Sequence, residues 1–118
     1  MKATNIAFTG IPVTDIKRAR AFYEGVLGLK VSGEFGEGVW IEYELGPDTI
    51  AIGSVGDQWK PSPDGTSVAI EVDDFEEAIK TLKGANVTFA AEGIESPVCR
   101  MAVVQDPDGN KITIHKLK

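Results

Sequence analysis

The chain of 118 residues has one cysteine, one histidine and no apolar run near the ~20 residues that span a bilayer. With Cys99 alone, no intrachain disulfide can form, which fits a reducing compartment. His115 is the one side chain of the type that ordinarily changes charge near neutral pH. Met1–Asn5 leads into only a short apolar stretch, unlike a secretory signal. These absences set the expectation of a cytoplasmic protein with no membrane partner. Net charge is −6 and no basic cluster exceeds Lys17-Arg18-Ala19-Arg20. That argues against a nucleic-acid partner, because phosphate binding needs a positive surface. Gly33, Gly36 and Gly38 form no phosphate-binding fingerprint, since no helix begins after them. Nucleophilic triads and cysteine metal clusters are also missing.

Hydrophobic residues make up 42% and charged residues 25%. That is ordinary globular usage, sufficient for one domain with its own core. Thr4 to Val13 reads as a strand, and Thr14 or Asp15 as the cap of a helix. The apolar stripe Ile16, Ala19, Phe22, Tyr23, Val26 and Leu27 predicts that helix, and Gly28 its end. A strand near Leu29–Val31 and a glycine-rich Gly33–Gly38 follow. Val39–Leu45 and Thr49–Val55 flank Gly46-Pro47-Asp48, a hairpin signal. The proline-containing stretch 57–65 reads as a linker.

The pattern then starts again. Ser67–Val72 is a strand, and Asp73 or Asp74 a cap. Phe75, Ala78, Ile79 and Leu82 form a helical stripe that Gly84 stops. Val87–Ala90, Val98–Gln105 and Lys111–His115 are strands. Val13-Thr14-Asp15 matches Val72-Asp73-Asp74 at an offset of 59, and Ile50 and Ile52 match Ile112 and Ile114 at an offset of 62. The expected architecture is therefore α+β: two βαβββ modules, at about 1–56 and 66–118, each with a mixed curved sheet covered by its helix on one face. The other face of each sheet is left to line something.

The last strand is announced by Asp106-Pro107-Asp108-Gly109, which has turn chemistry at every position. Together with Ile11-Pro12-Val13-Thr14-Asp15, Ala21-Phe22-Tyr23-Glu24-Gly25-Val26-Leu27-Gly28-Leu29 and Glu71-Val72-Asp73-Asp74, this turn resembles the vicinal oxygen chelate superfamily. That superfamily holds glyoxalase I, extradiol dioxygenases and the fosfomycin- and bleomycin-resistance proteins. The resemblance covers essentially the whole chain and implies sheets curved around a cavity, as well as a homodimer. It also implies four metal-ligand positions on inner strand faces, histidines on the first strand of each module and glutamates on the last. Carried over, these fall on Phe8, Ala51, Ser67 and Thr113. None is a histidine or carboxylate, and serine and threonine hydroxyls are poor ligands for the divalent metals concerned. No metal or other cofactor is therefore expected.

Strand parity fills out the cavity face. Phe8 and Gly10 share it on the first strand, Ser67, Ala69 and Glu71 on the fifth, and Thr113 and His115 on the last. A hairpin loop at Leu45–Asp48 sets Glu42 opposite Ala51 and Trp40 opposite Gly53. A four-residue loop Pro107–Asn110 sets Val104 opposite Thr113 and Ala102 opposite His115, with Arg100 beyond, on the same face. The candidate ligand-binding residues are thus Phe8, Trp40, Glu42, Ser67, Ala69, Arg100, Thr113 and His115. Apolar and aromatic walls with a few polar groups suit a small molecule. Trp59, in the linker, is expected at a module or subunit interface, and Cys99 as a small buried hydrophobe.

Three functions compete at this point. The first is a metal-independent protein that binds a small aromatic or apolar ligand. The second is a glyoxalase-like lyase, isomerase or dioxygenase with shifted ligands, in which His115 and Glu42 are the candidate catalytic and metal-binding groups. The third is an interaction module whose cavity is filled by its own side chains.

Overall fold

The computed structural model describes residues 1–118 and divides them into two units, Met1–Pro61 and Ser62–Lys118. The boundary falls within the stretch 57–65.

In the first unit, strand β1 (Thr9–Pro12) leads to Asp15, whose carboxylate accepts the N–H of Arg18 and caps helix α1 (Ile16–Arg20). The helix continues through Ala21–Val26 as a wider π-type turn, in which the N–H of Leu27 bonds the carbonyl of Phe22 at 2.9 Å. This departs from the regular helix that the stripe predicts. The widened turn lets the consecutive Phe22 and Tyr23 both be buried. Strands β2 (Lys30–Phe35), β3 (Trp40–Leu45) and β4 (Asp48–Gly53) follow, and the sheet order is β1-β4-β3-β2. β1 runs parallel to β4, and the other pairs are antiparallel. The glycine-rich stretch contributes strand residues as far as Phe35, with a register shift between Val31 and Gly33.

Alternation divides the sheet. Ile11, Ile41, Tyr43, Ile50 and Ile52 are buried on the helix side. Tyr23 stacks on Tyr43 with ring centroids 6.2 Å apart. The Tyr43 hydroxyl donates to Glu24 at 2.8 Å, and Arg20 donates to the same carboxylate at 2.6 Å and to Glu34 at 2.6 Å. Burial alone would raise the pKa of Glu24, but the hydrogen bonds from Arg20 and Tyr43 outweigh it and hold the carboxyl below its usual range.

The second unit repeats the plan. Strand β5 (Val68–Glu71) precedes helix α2 (Phe75–Gly84), capped by Asp74, whose carboxylate accepts the N–H of Glu77 at 3.0 Å. Strands β6 (Phe89–Glu95), β7 (Cys99–Gln105) and β8 (Lys111–Leu117) complete a sheet of order β5-β8-β7-β6. Ala102, Val104, Ile112 and Ile114 are buried with Phe75 and Leu82 of the helix. The two modules carry the same registers: Ile11 opposes Ile52 in one parallel pair, and Ile70 opposes Ile114 in the other.

The two hairpins differ. Leu45 pairs with Asp48 across Gly46-Pro47, so Trp40 opposes Gly53 and Glu42 opposes Ala51, as the loop count predicts. In the second hairpin Gln105 pairs with Lys111, and the N–H of Asp106 bonds the carbonyl of Asn110 at 2.9 Å. The β-turn is there, with the N–H of Gly109 on the carbonyl of Asp106 at 3.0 Å. Gly109 then takes the left-handed region, at φ +85°, and closes a three-residue loop rather than one of four. This one-residue slip sets Met101 opposite His115 and Val103 opposite Thr113, in place of Ala102 and Val104.

Candidate functional site

The face of the first sheet away from its helix is aromatic. Trp40 lies edge-on to Phe8 with centroids 5.4 Å apart and stacks on Trp59 at 5.9 Å, 25° between planes. Both indoles rest on glycine. A Cβ on Gly53 would lie 2.6 Å from the Trp40 ring and 3.1 Å from Trp59, and one on Gly10 would lie 3.1 Å from Trp59. A bare backbone floor thus lets the rings lie close against the sheet. The indole N–H of Trp40 donates to Glu42 at 2.9 Å. Phe8 stays 46% exposed, while Trp40, Glu42 and Trp59 are half-buried. The result is a partly exposed aromatic platform with a carboxylate at its edge.

The corresponding face of the second sheet is polar. The hydroxyls of Ser67 and Thr113 share a hydrogen bond of 3.0 Å. Ala69, opposite Thr113, is small and exposed. One pair further along, Glu71 opposes His115 and its carboxylate pairs with Nδ1 of the imidazole. The second oxygen of Glu71 accepts the N–H of Leu117 at 2.8 Å. The bond from His115, reinforced by that from Leu117, holds the Glu71 carboxyl below its usual range.

Arg100 is not on this face, a correction to its expected place. The slipped register turns it toward α2, where its guanidinium lies 4.6 Å from the Phe75 ring centroid and pairs with Glu76, with Glu95 at 3.4 Å. Met101 and Val103 take the face instead. Cys99 is a buried free thiol whose Sγ lies 3.2 Å from the Ser96 hydroxyl. The structure joins Phe8, Trp40 and Glu42 in the first unit, and Ser67, Ala69, Thr113 and His115 in the second. Sequence reasoning missed Trp59 as part of the aromatic cluster and Glu71 as the partner of His115. The parallel register of β5 and β8 could have found Glu71, whereas no local signal marks Trp59.

The Glyoxalase/Bleomycin resistance protein/Dioxygenase superfamily matches residues 5–114. The chain belongs to this superfamily. No curated protein matches it significantly. Three solved structures illustrate the likeness. TnmS3, an antibiotic binding protein from Streptomyces sp. CB03234, is 20% identical over 100% of this chain and 99% of its own, at a TM-score of 0.83. A glyoxalase/dioxygenase from Nostoc punctiforme is 18% identical over 97% of this chain and 91% of its own, at a TM-score of 0.82. The integron cassette protein VCH_CASS1 from the mobile metagenome of V. cholerae is 28% identical over 98% of this chain and 97% of its own, at a TM-score of 0.70.

The positions that the resemblance assigns to metal ligands are Phe8, Ala51, Ser67 and Thr113. Two have no donor atom in the side chain, and the other two are hydroxyls bonded to each other. Nowhere do three or more His, Cys, Asp or Glu side chains gather in a metal-holding group. The donor set does not fit the divalent ion that the superfamily's enzymes use. No helix is long and apolar enough to cross a membrane.

Proposed function

We propose that this chain is a metal-independent small-molecule-binding protein of the glyoxalase/bleomycin-resistance type, and that its ligand is a small aromatic or apolar compound. The observation that carries this reading is the Phe8–Trp40–Trp59 cluster on its floor of Gly10 and Gly53. Indole faces offer large, rigid contact area to a flat ligand. Glu42, bonded to the Trp40 N–H, gives the platform a polar edge. The likeness to an antibiotic binding protein supports the binding of a small molecule. The proposal includes a homodimer in the cytoplasm, following the family resemblance and the lone Cys99.

The test is a melting and tryptophan-fluorescence screen of untagged protein against planar aromatic compounds and aliphatic controls. Aromatic binders should raise the melting temperature and quench fluorescence. Trp40→Ala or Trp59→Ala should weaken them about tenfold. Divalent metal and chelator should leave the melting temperature unchanged. Stoichiometric metal in the purified protein, lost in His115→Ala or Glu42→Ala, would replace this reading with a metal-dependent lyase, isomerase or dioxygenase. No binder at all would favour an interaction module.

A further inference from the structure

The repeat places unlike chemistry at equivalent positions. The last register pair of the parallel strands is Pro12 and Gly53 in the first unit, and Glu71 and His115 in the second. Where the first sheet offers a bare floor to two indoles, the second raises a carboxylate and an imidazole. Both stand on the face opposite the buried Ile114.

Glu71 is held at both oxygens, one by His115 Nδ1 and the other by the Leu117 N–H at 2.8 Å. An ionised carboxylate only accepts hydrogen bonds, so the proton between the two groups belongs to Nδ1. In the neutral ring Nε2 is then left as an acceptor. The imidazole makes its hydrogen bond within the chain through Nδ1, and 24% of the side chain stays exposed. Beyond the small Ala69 lies the Ser67–Thr113 hydroxyl pair. Met101 and Val103, opposite His115 and Thr113, add half-buried apolar flanks.

We propose that this strip of the second unit recognises a hydroxyl donor on a small molecule, the O–H of a phenol or alcohol, through Nε2 of His115, with Glu71 as the positioning residue. The inference goes beyond the platform reading, because it concerns the open face of the second unit by itself. Glu71 acts by fixing the ring's tautomer. Without it, the neutral imidazole is free to place its proton on Nε2 and turn the acceptor into a donor.

Untagged full-length protein has a single imidazole, so its side-chain nitrogen NMR spectrum has one source. With the ring neutral, it should be in the Nδ1–H form, and Glu71→Ala should release it toward Nε2–H. Phenol and anisole, matched in ring and differing in the O–H, are then titrated by calorimetry. Phenol should bind roughly tenfold tighter than anisole, the worth of one well-made hydrogen bond. The ratio should fall to near one in His115→Phe and in Glu71→Ala.

An Nε2–H ring in the unaltered protein would overturn the inference. So would equal binding of phenol and anisole, binding of neither, or a ratio that survives in His115→Phe. Should His115→Phe not fold, Glu71→Ala and the tautomer of the unaltered protein decide the matter. Planar aromatic binders that show no phenol-over-anisole preference would overturn this inference alone. Loss of aromatic binding altogether would count against the platform reading.

Discussion

Trp40 packs its ring against Gly53, its register partner on the neighbouring strand, with ring carbons 2.6 and 2.8 Å from where a Cβ on that glycine would stand. The crowding involves two rigid indoles, since Trp59 adds a contact at 3.1 Å. Gly53→Ala must therefore push the rings off the sheet, at a cost of roughly 1–3 kcal/mol, typical of an overpacked site. Urea denaturation should show the loss, and near-ultraviolet circular dichroism a changed tryptophan signal. In a Trp40→Ala background the same substitution should cost clearly less, because the two positions are in contact. Equal costs in both backgrounds would contradict the geometry.

Asp106 is 5% exposed, and its carboxylate accepts the N–H groups of Asp108 and Asn110 and the side-chain amide of Asn110, each at 2.9 Å. The side-chain oxygen Oδ1 of Asn110 in turn accepts the N–H of Ser62 at 3.2 Å. Asp106→Ala leaves buried donors without their acceptor and should destabilise the protein by about 2 kcal/mol in urea. Asp106→Asn keeps one acceptor oxygen and should cost less.

Glu24 and Glu71 both have carboxyl pKa values below the ordinary glutamate value. A carboxylate lowered in the folded state lends stability above its unfolded pKa and loses it as pH falls through the folded value. The urea midpoint should hold from neutral pH to about 5 and then fall. Glu24→Gln weakens the bonds to Arg20 and Tyr43, so it should cost about 1 kcal/mol at neutral pH. It should also lose less on acidification than the unaltered protein. A parallel fall would show that Glu24 is not among the groups responsible.

Arg100 packs over Phe75 and pairs with Glu76, with its side chain 35% exposed. An exposed pair of this kind contributes less than about 1 kcal/mol. Arg100→Met should therefore lower stability only slightly and leave the affinity for any ligand of the sheet faces unchanged. A large loss of binding with unchanged stability would restore Arg100 to the site.

Much of the fold was legible in the order of residues. The capping aspartates, the apolar stripes and the repeat of Val13-Thr14-Asp15 as Val72-Asp73-Asp74 carried the two βαβββ modules, because those signals act over one helical turn or one strand. The first hairpin could be counted through because Gly46-Pro47 leaves a two-residue loop, and with it came the placement of Trp40 and Glu42. The second could not. Asp106-Pro107-Asp108-Gly109 announces a β-turn, but whether Gly109 ends it or adds a left-handed residue depends on the backbone's need to close on Asn110. Strand side chains alternate with a period of two, so that single residue exchanges Arg100 for Met101 on the open face.

The sequence by itself determined the two modules and the face of the first hairpin that carries Trp40 and Glu42. Tertiary structure alone decided that Trp59 stacks on Trp40 and that Glu71 holds His115. These pairs lie 19 and 44 residues apart along the chain. Contacts at such separations are set by strand pairing and packing, and no short-range pattern encodes them.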